Sequence, residues 1–150
     1  MSTDYVLKLD GSPHGSFRAR VFTEQIEVRL LGRGALRFDK ETFWGNRLTL
    51  TDPLSGNVVA EAERSGTFTS AWDLRVSTGP ARLVSAGVFN TGFLVERGGR
   101  TIAEVKATGV CNGSWHVRSA DGLAATDLLF IGLTYASILR RNAAVVAAAG

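Results

Sequence analysis

The sequence predicts a mainly β fold: a closed antiparallel β-barrel of about twelve strands enclosing a hydrophobic C-terminal α-helix. Three observations lead there. Residues 1–119 break into short runs of alternating apolar and polar side chains, separated by turn-forming residues every eight to twelve positions or so. That is the pattern of an antiparallel sandwich or barrel. The stretch from Leu128 to Leu139 then has no charged residue and is apolar all round a helical wheel, so it must be enclosed on every side. Lipid and protein are the two possible enclosures. The uncharged run spans about 18 Å as a helix, close to the length of a strand of five or six residues and short of the roughly 30 Å of hydrocarbon in a bilayer. Arg140-Arg141 follows it directly, and a protein barrel fits better.

The elements follow in order. Tyr5, Leu7 and Leu9 alternate with Val6, Lys8 and Asp10 in a first strand, which stops at the turn Asp10-Gly11-Ser12-Pro13. Phe17 to Phe22 and Gln25 to Leu30 both show period two. Gly32-Arg33-Gly34 reads as a turn, Leu36 and Phe38 as a short strand, and Leu48 and Leu50 as the next. Thr51 to Asn57, with Pro53 and Gly56, is a hairpin connection into a strand from Val58 to Arg64. Ser65 to Thr69 leads into Trp72, Leu74 and Val76, which alternate with Asp73, Arg75 and Ser77, and Thr78-Gly79-Pro80 turns the chain. Arg82 to Asn90, Phe93 to Arg97 and Thr101 to Ala107 follow, with Gly98-Gly99 as a tight hairpin signal. Cys111 to Ser119 closes the series, with Trp115 and Val117 on one face and His116 and Arg118 on the other. Asp121-Gly122 offers a helix N-cap, with Thr126-Asp127 as a later alternative.

The 150 residues suit one domain, residues 1–119 forming the barrel strands and 121–149 the central helix and tail. Hydrophobic content of 45% and charged content of 21% are those of a chain that folds rather than one that stays disordered. A single cysteine, Cys111, excludes an intramolecular disulfide and suits a reducing compartment. The opening Met-Ser-Thr-Asp-Tyr has neither the basic nor the apolar region of a signal peptide, so a cytoplasmic protein is expected, peripheral at a membrane if it meets one. The net charge of +3 comes from arginines scattered among acidic residues, and without a basic run no nucleic acid is expected as a partner.

The order of these elements, with Gly56-Asn57-Val58-Val59-Ala60-Glu61-Ala62-Glu63-Arg64 leading to Ser70-Ala71-Trp72-Asp73-Leu74, then Gly98-Gly99-Arg100-Thr101-Ile102-Ala103-Glu104-Val105 and the ending Thr126 to Ala136, resembles the tubby C-terminal-like superfamily. That superfamily includes LURP-one-related proteins and phospholipid scramblases. The resemblance covers most of the chain and implies a barrel of about twelve strands around a hydrophobic helix. For tubby proteins it implies phosphoinositide binding through basic surface residues, and for scramblases action on membrane lipids. The chain departs from both, having no Lys/Arg cluster matching the tubby lipid site, no acidic calcium-binding segment and no Cys-rich palmitoylation stretch. The fold is carried over, and no site residue is.

Catalytic constellations are missing. There is no Gly-x-Ser-x-Gly elbow and no Ser-x-x-Lys, and His14 and His116 are the only imidazoles available to a triad. His116 reads as a surface histidine on an alternating strand and His14 as an exposed turn residue. Two histidines and one cysteine are too few for a His/Cys metal site, and Cys111 reads as a small buried hydrophobe. Glu61 and Glu63 share a strand face and read as water-facing. Trp44, Trp72 and Trp115 read as core packing. No enzyme activity, cofactor or metal is expected.

The most basic segment holds Arg29, Arg33, Arg37, Lys40 and Arg47 against Asp39 and Glu41, and barrel loops could bring these cations to an anionic headgroup. Solvation of the surface explains the same residues. The function expected is a non-enzymatic tubby-like barrel binding an anionic membrane lipid or a protein partner through its surface. The alternatives are a tail-anchored protein with its C-terminal helix in a bilayer and a lipid-acting protein of scramblase type.

Overall fold

Alternation in the sequence becomes strand wherever one face has somewhere apolar to go. A computed structural model describes residues 2–9, 12–20, 25–32, 34–40, 47–65, 71–86, 92–107, 115–119 and 123–149. These residues contain eleven strands followed by one helix. Residues 21–22, 66–70, 87–90 and 111–114, expected in or between strands, lie outside them, as do Trp44, Cys111 and the N-cap candidate Asp121-Gly122. The chain divides into two units, Met1–Glu63 and Arg64–Gly150.

The first unit holds β1 (Ser2–Leu9), β2 (Ser12–Arg20), β3 (Gln25–Leu30), β4 (Gly34–Lys40), β5 (Arg47–Thr51) and β6 (Val58–Arg64, whose last residue crosses the boundary). Each pairs with the next as an antiparallel neighbour. In β3, Ile26, Val28 and Leu30 are buried while Gln25, Glu27 and Arg29 are exposed. The register carries the apolar row across the sheet: Val28 lies opposite Leu36, Phe38 opposite Leu50, and Leu50 opposite Ala60. Tyr5 lies opposite Phe17, and their rings stack with centroids 4.7 Å apart.

Two local expectations are corrected: Gly79 and Pro80, read as turn residues with Thr78, pair with Val76 and Arg75 as strand, and the first turn is shorter than expected. The turn after β1 does not include Ser12 and Pro13, because Leu9 pairs with Ser12 and Lys8 with Pro13. The register shifts between Leu7 and Lys8, leaving His14 as the extra residue of a bulge, a position that tolerates proline next to it because ladder pairing is already interrupted there. His14 is therefore a half-buried strand residue rather than an exposed turn residue, and its carbonyl accepts the backbone N–H of Leu31 at 2.8 Å.

The second unit holds β7 (Trp72–Val76), β8 (Gly79–Ser85), β9 (Phe93–Arg97), β10 (Arg100–Ala107) and β11 (Trp115–Ser119), again antiparallel in chain order, and then α1 (Ala125–Ala149). Trp72, Leu74 and Val76 are buried against exposed Asp73 and Arg75. Arg97 pairs with Arg100, so Gly98 and Gly99 are the two turn residues, with φ of 57° and 79°. A two-residue hairpin with positive φ at both positions is the arrangement that suits the twist of the flanking strands and that glycine adopts without strain.

Between Leu129 and Tyr135 the helix is buried all the way round. Every residue from Leu129 to Tyr135 is buried, and at 100° per residue this run looks in every direction. α1 packs on β10 and β11, and the Tyr135 ring meets that of Phe93 on β9 edge-on at 5.7 Å. The helix continues past Arg140-Arg141 to Ala149, since alanine and arginine are both strong helix formers. The chain is thus mainly β with one C-terminal helix. The sequence leads one to expect about twelve strands in a closed barrel, whereas the described strands number eleven and hydrogen bonds do not close them into a ring.

Candidate functional site

The candidate cations sit on the first unit, where strand parity decides what each of them faces. Val28 and Leu36 point to the buried side, so Arg29 on β3 and Arg37 on β4 point outward, and Arg47 shares the face of Arg37 because Thr51, four residues after it, lies opposite Arg37. Arg29, Arg37 and Arg47 therefore share the outer face of β3, β4 and β5. Lys40 is two residues beyond buried Phe38 and opposite buried Leu48, which puts it on the other face by alternation. Arg33 lies outside the described residues.

Each of the three outward arginines meets a carboxylate. Arg29 Nε donates to Glu27 Oε1 at 3.1 Å and Arg37 Nε to Asp39 Oδ2 at 2.7 Å, both two residues away along the same strand. Arg47 donates from Nη2 to Glu61 Oε2 at 2.7 Å, across from β5 to β6. Glu61 is accordingly half-buried in an ion pair, while Glu63 is exposed. The outer face is a ladder of exposed and half-exposed ion pairs. Pairs of this kind contribute only about 0–1 kcal/mol each. Such a face can exchange part of its internal pairing for a phosphate or carboxylate at little cost.

A second charged group lies on the outer face of β10 and β11. Glu104 pairs with Arg118 in the register and Lys106 with His116, and Lys106 Nζ lies 2.9 Å from Glu104 Oε1. The Lys106 hydrogen bond holds the Glu104 carboxyl below its ordinary pKa, helped by the positive charges of Lys106 and Arg118. His116 is exposed on this face, as its place in the alternation predicts. Among the described residues no three His, Cys, Asp or Glu side chains converge as metal ligands would. Of the tryptophans, Trp72 is buried in the core and Trp115 points to the inner face of β11, against Gly132 of α1.

Asp127, which the sequence offers only within the alternative N-cap Thr126-Asp127, lies instead inside the first turn and has a role that the sequence does not show. It is buried, with 1% of its surface exposed. Leu128 N–H donates to the carbonyl of Ala124, which makes Ala124 the N-cap and places Asp127 at the third helical position. From there its Oδ2 reaches back to the Ala124 N–H at 3.4 Å, which is the acidic half of a capping box. The cap is supplied from inside the first turn because alanine at the N-cap has no side-chain acceptor to offer. Asp127 also accepts the backbone N–H and the hydroxyl of Ser77 and the hydroxyl of Thr78, in the turn between β7 and β8. Arg97 closes over that turn, donating to Thr78 Oγ1 at 3.0 Å and to the carbonyls of Gly79 and Pro80. Every acceptor position of Asp127 that these contacts use faces a protein donor, so the group is an anchor.

No family model, curated protein or solved structure matches the chain.

Proposed function

We propose that the chain is a non-enzymatic, tubby-like barrel protein, with strands wrapped around the C-terminal helix and an outer surface that binds an anionic lipid headgroup at a membrane facing the cytoplasm. The observation that supports this most is the helix itself. With Leu129 to Tyr135 buried on every side, the interior is occupied by the chain's own side chains, and a barrel filled in this way keeps no cavity for a ligand. Binding then belongs to the outside, where Arg29, Arg37 and Arg47 stand in the row of exchangeable ion pairs described above. Burial of α1 within the protein also favours this reading over insertion of the helix in a bilayer, and no helix among the described residues is long and apolar enough to cross one.

The test is co-sedimentation of the full chain with phosphatidylcholine vesicles, with and without phosphatidylserine, over a range of salt concentrations. The expected result is binding that requires the anionic lipid, weakens as salt screens it, and falls when Arg29, Arg37 and Arg47 are all changed to Gln. Binding that ignores lipid charge and survives the triple change overturns the headgroup reading, as does no binding at any salt.

A further inference from the structure

We infer that Leu31 and Leu54, on two neighbouring turns of the first unit, are membrane-inserting side chains that bring the arginine face down onto an anionic bilayer. This deepens the headgroup reading and rests on it.

β3 and β5 run in the same direction because one antiparallel strand, β4, separates them. The turns that follow them, β3 to β4 and β5 to β6, therefore emerge at the same end of the sheet. Two strand spacings put these turns about 10 Å apart. Leu31 in the first is 66% exposed, Leu54 in the second is 98% exposed, and Val58 at the base of the second is 51% exposed. An isolated exposed leucine needs no explanation. Two among the described residues, each at the tip of one of two neighbouring turns at the same end of one sheet, do.

Both leucines are held out by hydrogen-bonded backbone. Leu31 N–H donates to the His14 carbonyl at 2.8 Å. Around Leu54, Asp52 N–H donates to the Asn57 carbonyl, Gly56 N–H to the Asp52 carbonyl and Leu54 N–H to Asp52 Oδ1, at 2.9, 2.8 and 2.9 Å. Asp52, an acidic group beside Leu54, is thereby folded into its own turn. Turns fixed in this way lose little further freedom on binding, which removes one of the main costs of association.

The shape of the feature favours a bilayer over a protein. A stable protein interface needs a continuous surface of roughly 800 Å² per partner, whereas separate protruding tips suit a fluid interface in which each apolar side chain is buried independently. The charges agree. Arg29 stands two residues behind Leu31, about 7 Å along the strand, at the depth where headgroups lie once a leucine tip has entered the acyl boundary.

The experiment measures partitioning of the full chain onto phosphatidylcholine vesicles containing phosphatidylserine, for wild type, Leu31→Ser, Leu54→Ser, the double variant and Val6→Ser. Val6 is 65% exposed in the middle of β1 and serves as a control. Each leucine change is expected to lower the partition coefficient about tenfold, equivalent to 1.4 kcal/mol, with unchanged thermal unfolding. The double variant should lose both factors, Val6→Ser should match wild type, and Leu54→Trp should bind more tightly. If wild type binds and the leucine variants bind equally well, the insertion inference fails while the headgroup reading stands. If wild type does not bind these vesicles, both fail together. If wild type self-associates in sedimentation velocity and Leu54→Ser abolishes that, the tips belong to a contact between copies and the inference is overturned.

Discussion

Asp127 in the first turn of α1 grips Ser77 twice, accepting its backbone N–H on Oδ1 and its hydroxyl on Oδ2, each at 2.9 Å. A link spanning fifty positions in the chain thus ties the start of the helix to the turn between β7 and β8. Changing Asp127 to Ala removes the acceptor of the Ser77 and Ala124 N–H groups and of the Ser77 and Thr78 hydroxyls, and is expected to cost about 1–3 kcal/mol. Ser77→Ala removes only the hydroxyl bond and should cost about 1–2 kcal/mol. Urea unfolding of the two single variants and the double variant measures both. Because the pair shares one network, the double variant should be less destabilised than the sum of the singles.

Gly132 is the second point where the helix is fixed. A Cβ at this position would run into the indole of Trp115 on β11, so the absence of a side chain sets how closely helix and strand approach. Alanine normally stabilises a helix interior by about 1 kcal/mol relative to glycine. Here Gly132→Ala should instead lower the thermal midpoint, and Gly132→Leu should lower it further by overpacking worth about 1–3 kcal/mol or more. Trp115→Leu in the Gly132→Ala background should recover part of the loss, which calorimetry of the three variants would show.

Glu104 offers a titration that checks the outer face of β10 and β11. The Lys106 hydrogen bond depresses the folded-state pKa of Glu104, so its contribution to stability is present above the unfolded-state value and is lost as pH falls through the lower folded value. NMR titration should find the Glu104 midpoint below that of an ordinary glutamate. Lys106→Gln should move it upward, leaving the smaller influence of Arg118 and His116.

The alternation of Ile26, Val28 and Leu30 with Gln25, Glu27 and Arg29 placed β3 and its buried face directly, since period two is a local property. Gly98-Gly99 likewise marked its hairpin because the backbone conformation demanded glycine. The unbroken apolar run from Leu128 onward identified an enclosed helix without saying which strands touch it. The arginine face was readable in part. Outward placement of Arg29 and Arg37 follows from parity, and their partners Glu27 and Asp39 lie two residues away on the same strand, but the Glu61 partner of Arg47 needed the β5–β6 register. The role of Asp127 was not readable, because its donors Ser77 and Thr78 are far away in sequence and carry no pattern of their own. His14 was misplaced for a related reason, since a bulge depends on how two strands align rather than on either strand alone.

We propose that α1 fills the interior of a barrel, and removing the helix tests that proposal most directly. Residues 1–122 and the full chain would be expressed without detergent and compared by soluble yield, size-exclusion profile and thermal unfolding. The expected result is a full chain that unfolds in one cooperative transition and a truncated chain that aggregates, because the apolar face built from residues such as Leu74, Leu83, Val95 and Val105 loses the helix. A truncated chain that stays monomeric and unfolds cooperatively at the same temperature as the full chain would contradict it.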